Sequence, residues 1–211
     1  MSIDVKTLFL MLSVFFGVAS FFFYIRGIVR REVSPHFFTW FIWLLTQTTA
    51  TVGVWVGGGG KGAISITIGT LLIVLVCILT LFFGKKDITK SDIVIFCLAL
   101  FAICLWWIFH NPILSIFAVS LIDLMGFIPT FRKSFSSPWS ESLMYWGMDS
   151  LSFFFGILAL EHYNFFTLPY LTALVSANVS FCAFLIFRRM SGKKILPQNE
   201  ICGILKGRKR E

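Results

Sequence analysis

The sequence predicts an all-α integral membrane protein with seven transmembrane helices, arranged as two parallel three-helix bundles joined by a linker helix. Hydrophobic residues make up 57 % of the 211 residues and charged residues only 13 %, a balance that a soluble domain of this size cannot bury. The apolar residues fall into seven runs, each about 20 residues long, which is the length that crosses a bilayer. Basic residues concentrate in alternate loops between these runs. We therefore exclude a soluble enzyme, a disordered chain and a disulfide-stapled secreted module.

Seven apolar runs define the spans in chain order. They cover residues 7–25, 37–56, 63–83, 92–110, 112–131, 142–160 and 168–187. The fourth and fifth runs are separated at Pro112, where a proline breaks the helix. The Gly57–Gly60 run with Lys61 lacks the spacing of a phosphate-binding loop. We interpret it as a turn between the second and third spans.

Loop charge predicts the orientation, because Lys and Arg mark the cytoplasmic side. The first, third and fifth loops are basic, and the tail from Arg188 holds eight basic and two acidic residues, a net of +6 of the formal +8. The predicted topology has the N-terminus outside and the C-terminus in the cytoplasm, in a multi-pass protein of the bacterial plasma (inner) membrane. We interpret the tail as an anchor near anionic lipid. Binding to a partner or nucleic acid is the alternative, but the tail lacks a nucleic-acid motif.

The residues that usually carry enzymatic chemistry show no recognisable pattern. Five cysteines include no CxxC pair, three histidines lie at span ends, and no HExxH motif is present. We therefore expect no metal site and no cofactor. No nucleophile–base pair stands out, so we do not expect an enzyme.

The domain plan follows from the odd number of spans. Spans one to three run in the same directions as spans five to seven if the fourth span inverts the chain, a plan of parallel repeats known in transporters. The predicted units are 1–83, a linker helix in 84–111, 112–187 and the tail 188–211. An offset of 103 residues relates the two triplets. It places Pro35 and Trp43 on Pro138 and Trp146, and it places Thr46 on Asp149.

Segment 123–146 resembles the PQ-loop and SWEET superfamily. Pro129-Thr130 stands where these proteins have Pro-Gln, and a short basic stretch, Arg132-Lys133, follows. The nicotinamide riboside transporters share the three-one-three plan. The resemblance implies a substrate path between the triplets that opens alternately to each side. Trp and Asn face the central cavity in SWEETs, and Trp146 and Asn178 match those roles.

Four polar side chains are predicted to lie at one depth in the membrane. Counted from the cytoplasmic end of each span, Asp123 and Asp149 lie about 12 and 11 Å deep, and Asn178 and Gln47 about 14 and 15 Å. The spans contain no Lys or Arg to pair with the two carboxylates, so each needs a proton, hydrogen bonds or a cation. The alternative for these residues is structural hydrogen bonding between helices.

The aspartates also predict a role for protons. They lie on consecutive antiparallel spans joined by a short loop, so we expect them to be neighbours. Two negative charges are costly together in a low dielectric, and we expect one carboxyl to carry a proton at neutral pH. This state would serve proton-coupled transport or binding of a polar solute.

The predicted function is transport of a small polar solute, such as a sugar, an amino acid or a vitamin-like compound. Asp123, Asp149, Asn178 and Gln47 would line the site, and Trp43 and Trp146 would stack on the solute or close its inner mouth. An interfacial aromatic belt is the alternative for the tryptophans. Gly126 and Pro129 would form a hinge, or only a proline kink. A membrane sensor or receptor and a membrane scaffold stay open as functions, and a homo-oligomer is compatible with the sequence.

Overall fold

The computed structural model describes residues 4–33, 35–84, 90, 93, 94, 96–98, 100, 101, 104 and 112–191. Six helices cover most of them: α1 (Val5–Val29), α2 (Phe37–Val56), α3 (Lys61–Phe83), α4 (Pro112–Ser136), α5 (Leu143–Ala159) and α6 (Leu168–Ser191). The described positions between 90 and 104 are also helical, and no strand occurs in the described part. Most of the predicted fourth span and tail residues 192–211 lie outside it.

The helices agree with six of the predicted spans and differ mainly at one end. α1, α4 and α6 continue four or five residues beyond the apolar runs. These extensions carry Arg26, Arg132, Lys133, Arg188 and Arg189. Arg and Lys are good helix formers, and their long side chains let the charges reach water while their stems stay apolar. The helices therefore end later than hydrophobicity alone predicts.

Three helices, α1, α3 and α6, are long and apolar enough to cross a membrane, and α5 is apolar but shorter. Large hydrophobic side chains cover their outer surfaces. Phe22 is 59 % exposed, Leu71 65 % and Phe82 76 %. Contiguous exposed apolar surface of this kind is unfavourable in water and favourable in lipid. These helices indicate a membrane-embedded protein.

Helices that follow one another in the chain are not always neighbours. α3 packs against both α1 and α2, and α6 packs against both α4 and α5. α1 also packs against α5, α2 against α4, and α3 against α5, whereas α4 and α5 are not among the closely packed pairs. The prediction that α4 and α5 are direct neighbours, which rested on their short connection, was wrong. Their connection, residues 137–142, can span about 20 Å when extended, which leaves room for α6 to pack against both.

The bundle has two different ends. At the first, called the glycine end, the turn from α2 to α3 passes through Gly58 and Gly60, whose φ angles are +73° and +53°. A hydrogen bond from Asn164 to the Gly57 carbonyl, at 2.8 Å, ties this turn to the α5–α6 connection. Lys61 pairs with Asp4 at the start of α1, and its hydrogen bond lowers the pKa of Asp4.

At the second end, called the basic end, the helix termini carry most of the described basic residues. Arg188 donates to the Phe135 carbonyl at 2.7 Å, and Arg189 donates to the Pro138 carbonyl at 3.1 Å. These bonds tie the end of α6 to the end of α4 and to the α4–α5 connection. These two arginine side chains thus supply donors to a helix carbonyl and a loop carbonyl at the end of the bundle.

The buried core contains two large apolar clusters and a small third one formed by Ile42 and Ile122. The aromatic cluster lies toward the basic end and includes Phe21, Tyr24, Trp40, Trp43, Phe127, Tyr145, Trp146 and Phe181. The aliphatic cluster lies toward the glycine end and includes Ala50, Val54, Ala63, Ile66, Val119, Leu160, Leu171 and Leu174, together with Tyr170.

Candidate functional site

A polar layer separates the aromatic and aliphatic clusters. On α2, Gln47 lies between Trp43 of the aromatic cluster and Ala50 of the aliphatic cluster. Asp123 lies between Val119 and Phe127 on α4, Asn178 between Leu174 and Phe181 on α6, and Asp149 follows Trp146 by three residues on α5. All four are buried, with 1 to 7 % of their surface exposed. Four helices thus place polar groups between the aromatic cluster and the aliphatic cluster.

Asp123 has one well-bonded carboxylate oxygen and one without a partner. Its Oδ1 accepts hydrogen bonds from the Thr46 hydroxyl at 2.5 Å and from the Tyr170 hydroxyl at 2.9 Å. Its Oδ2 is fully buried and finds no hydrogen-bond partner among the described residues. Because an unpaired buried acceptor is costly, this oxygen marks a position where a donor or a proton would be stabilised.

Asp149 has contacts at both oxygens. Asn178 donates to Oδ2 at 2.9 Å, which satisfies that atom. The Ser20 hydroxyl, which donates to the Gly17 carbonyl at 2.8 Å, lies 3.5 Å from Oδ1. The contact with Ser20 is at the limit of a hydrogen bond, so Asp149 is held mainly by the amide of Asn178.

Five of the predicted site residues line one cavity. Asp123, Asp149, Gln47, Trp43 and Trp146 all face it. The space open to the centres of water molecules is about 40 Å³, which is room for a few waters. A solute larger than this needs the surrounding helices to move apart.

The sixth predicted residue, Asn178, is placed differently. It is 1 % exposed and bonds Asp149, but it does not line the cavity. In the structure it orients a carboxylate rather than facing the cavity itself. Gln47, in contrast, faces the cavity and points its amide nitrogen to the Thr70 hydroxyl at 3.4 Å.

The two tryptophans contact each other at the basic side of the cavity. The rings of Trp43 and Trp146 meet edge to face, with centroids 5.7 Å apart and an angle of 77°. Only 6 % and 2 % of the two residues are exposed, so both lie inside the bundle and away from its outer surface. The Trp43 indole donates to the Asp123 carbonyl at 3.2 Å, and the Trp146 indole donates to Glu141 Oε2 at 3.2 Å.

Gly126 lies where Trp43 crosses α4. A methyl group on Gly126 would be 2.7 Å from the indole nitrogen of Trp43, so only glycine admits the ring at this position without a shift. Pro129 lies one turn further along, inside the continuous helix Pro112–Ser136. Proline has no N–H to bond the Met125 carbonyl. This lost backbone bond is the physical basis for the predicted hinge, which stays a prediction.

The sequence did not predict several residues that contact the site. Tyr170 bonds Asp123 from the glycine side, and Glu141 bonds Trp146 from the basic side. Glu141 is only 3 % exposed, although its position in a loop predicts a solvated side chain. Tyr170 could have been predicted as a site residue, because it lies within an apolar span and a buried tyrosine hydroxyl usually has a hydrogen-bond partner. No sequence signal identified Glu141.

A second missed group is a set of serines at the α1–α5 crossing. Ser13 donates to the Ser152 carbonyl at 2.6 Å and Ser152 donates to the Ser13 carbonyl at 2.8 Å. The Ser13 and Ser65 hydroxyls are also hydrogen bonded, and all three serines line the cavity. The spacings Ser13–Gly17 and Ser152–Gly156 are small-xxx-small patterns typical of close helix crossings in membranes, and they were available in the sequence.

The arrangement is suited to reversible, non-covalent binding. It offers two carboxylates, one amide and several hydroxyls as hydrogen-bonding groups, with aromatic rings on one side. Among the described residues, no group of three or more His, Cys, Asp or Glu is placed to hold a metal ion. No family model, curated protein or solved structure matches the chain.

Proposed function

We propose that the protein transports a small polar solute across the membrane by alternating access. The observation that carries the proposal is the buried polar layer with an apolar cluster on each side. A transporter needs a polar site near the middle of the membrane and a closure toward each face. The aromatic cluster is the closure at the basic end, and the aliphatic cluster is the closure at the glycine end.

Two parallel three-helix repeats would organise this transporter. Buried positions of α1 recur in α4 at the offset of 103: Ser13 and Ile116, Gly17 and Ser120, Ser20 and Asp123, Tyr24 and Phe127, and Gly27 and Thr130. The same offset relates four buried positions of α2, from Ile42 to Gln47, to four of α5, from Tyr145 to Ser150. In each triplet the third helix packs against the other two. The described positions between 90 and 104 are helical, as a linker helix in the three-one-three plan of SWEET and PQ-loop proteins would require.

The polar contacts across the cavity support the same symmetry. Thr46 bonds Asp123 at 2.5 Å, and Ser20 lies 3.5 Å from Asp149. The offset of 103 places Ser20 on Asp123 and Thr46 on Asp149, so each contact is the counterpart of the other with hydroxyl and carboxylate exchanged. Two helix pairs, α2–α4 and α1–α5, would therefore open and close by equivalent movements.

The different charge of the two ends supports one orientation. The basic end, with Arg30, Arg132 and Arg188, would face the cytoplasm of a bacterial cell, and the glycine end would face outward. Opening the Trp43–Trp146 contact would connect the site to the cytoplasm. Opening the aliphatic cluster would connect it to the outside. Bending of α4 near Gly126 and Pro129 would drive the first of these movements.

Uptake into liposomes tests the function. Purified full-length protein is reconstituted and supplied with labelled sugars, amino acids, nucleosides and vitamins. Asp123→Asn and Asp149→Asn keep the side-chain shape, and we expect each to abolish uptake or its pH dependence between about pH 5 and 8. Thr48→Val is the matched control, because Thr48 lies next to Gln47 but is exposed on the outer face of α2.

The outcomes distinguish a transport role of the two aspartates from a structural role. Uptake of a solute by wild-type protein and the control, but not by the two aspartate variants, supports a transport site. Normal uptake with unchanged pH dependence in both variants would make the carboxylates structural hydrogen-bonding groups. Absence of uptake for every solute class in a folded protein would favour the sensor or scaffold functions.

A further inference from the structure

The charge of the cavity limits what it can bind. Asp123 and Asp149 both face it, and none of its described lining residues is Lys, Arg or His. The basic side chains of the six helices and of the loops between them lie at the two ends, as Lys6 and Lys61 do at the glycine end. Even with one of the two carboxyls protonated, an anion placed in this cavity would meet the other carboxylate without a compensating cation, at a high cost in a low dielectric. A cation would be attracted to the same position.

The unpartnered oxygen of Asp123 adds a directional requirement. Oδ1 already accepts two hydroxyl donors, whereas Oδ2 is buried and has no donor among the described residues. Asp149 differs, because Asn178 donates to its Oδ2. Asp123 lines the cavity, so one unpartnered acceptor belongs to its wall, and a ligand N–H group that reaches this oxygen would satisfy it with a charge-assisted hydrogen bond.

The aromatic wall favours an organic cation over a metal ion. Trp43, Trp146, Tyr145 and Phe127 all line the cavity beside the carboxylates, and aromatic faces attract organic cations. Hard metal ions instead need six or more oxygen ligands. The small free volume of about 40 Å³ favours a compact ligand.

We propose that the cavity binds a small primary ammonium compound, whose N–H group donates to Asp123 Oδ2 while its carbon atoms contact the tryptophan rings. This inference rests on the proposed transport site and narrows its solute class. It restricts the solute to cations, whereas the fold class alone would also allow sugars and anions.

Three compounds of nearly equal size test the charge requirement. Ethanolamine, ethylene glycol and glycolate share a hydroxymethyl group and differ in whether the other end is cationic, neutral or anionic. Binding to the purified full-length protein is measured by titration calorimetry and by tryptophan fluorescence. We expect saturable binding of ethanolamine, at least about tenfold weaker binding of ethylene glycol, and none of glycolate. Equal or tighter binding of glycol or glycolate would overturn the proposal, and so would absence of ethanolamine binding.

Substitution of the acceptor tests the assignment to Asp123. Asp123→Asn should weaken ethanolamine binding about tenfold or more and leave ethylene glycol binding unchanged, while Thr48→Val should bind as wild type does. Unchanged ethanolamine affinity in a folded Asp123→Asn protein would overturn the assignment. If that variant does not fold, the comparison of the three compounds on wild-type protein still decides the ligand class.

Uptake measurements keep this inference separate from the proposed function. Ethanolamine that binds at Asp123 but does not cross the membrane would leave the cation site standing and refute transport of that solute. Uptake of a neutral solute that depends on Asp123, with no binding of ethanolamine, would support transport and overturn the cation site.

Discussion

Glu141 connects the aromatic cluster to the basic end through three contacts. Its carboxylate pairs with Lys133 and accepts from the Trp146 indole, and its carbonyl accepts from Arg189 at 2.6 Å. The side chain is 2 % exposed and that of Lys133 is 16 % exposed. A charge pair at this depth gives little net stability, but removal of one member takes a charged partner from the other at a position where that loss is costly. Glu141 therefore fixes the Trp146 ring at the basic side of the cavity.

Replacing Glu141 should be costly. We expect Glu141→Ala to lower the free energy of unfolding by about 3 kcal/mol, because Lys133 loses its ion pair and Trp146 loses its acceptor. Equilibrium denaturation in detergent measures the change. Glu32→Ala is the matched control. Glu32 pairs with Arg30 at 4.0 Å with both side chains more than half exposed, so it should change stability by less than about 1 kcal/mol. Equal effects of the two variants would contradict the role of Glu141.

Two glycines offer a matched pair of substitutions. Gly126→Ala would place a methyl group 2.7 Å from the Trp43 indole nitrogen, whereas Gly147→Ala on α5 would meet nothing within 4 Å. We expect Gly126→Ala to destabilise the protein by about 1 to 3 kcal/mol and to shift its tryptophan fluorescence. Gly147→Ala should stabilise it by up to about 1 kcal/mol, because alanine favours the helix. A thermal melt followed by fluorescence checks both, and a stabilising Gly126→Ala would show that the ring moves without cost.

The positions of the helices were more predictable from the sequence than the contacts between them. Apolar runs placed six of them, and the four polar residues within those runs are buried between the two large clusters. Their common depth in the membrane, which helical rise predicts from sequence position, stays a prediction. Their partners were not predictable. The contacts of Asp123 with Thr46 and Tyr170 depend on which helices pack together. A bundle that is hydrophobic on most faces carries little of that information in its periodicity.

Pro129 tests whether α4 acts as a hinge. Pro129→Ala restores an N–H that can bond the Met125 carbonyl and so straightens and stiffens the helix. If bending of α4 opens the aromatic cluster, the variant should be at least as stable as wild type while its maximal uptake rate falls about tenfold or more. Solute affinity should change little. Uptake rates over a range of solute concentrations make this distinction, and an unchanged maximal rate would show that the proline is only a local kink.

Charge is distributed unevenly over the whole molecule. The described basic residues at the glycine end are Lys6 and Lys61, and both are engaged, Lys6 with Tyr163 and Lys61 with Asp4. At the basic end, helices α1, α4 and α6 and the residues that directly follow α1 carry seven: Arg26, Arg30, Arg31, Arg132, Lys133, Arg188 and Arg189. Such an asymmetry orients a protein in the membrane through the cost of moving cations across it and their attraction to anionic lipid.

Cysteine labelling in intact cells tests this orientation. The five native cysteines are replaced first, because Cys97 and Cys104 are exposed. Phe165, 64 % exposed in the α5–α6 connection, suits a cysteine better than Gly59, where a side chain would lie 2.5 Å from Val54. We expect an impermeant maleimide to label Phe165→Cys in intact cells, and to label Ser191→Cys at the end of α6 only after permeabilisation. Phe165 lies in a loop and Ser191 at a helix end, and both are exposed, so labelling reports sidedness rather than burial within the protein. Labelling of Ser191→Cys from outside, with Phe165→Cys protected until permeabilisation, would show that the orientation is the reverse of the proposed one. The aromatic cluster would then be the closure toward the outside.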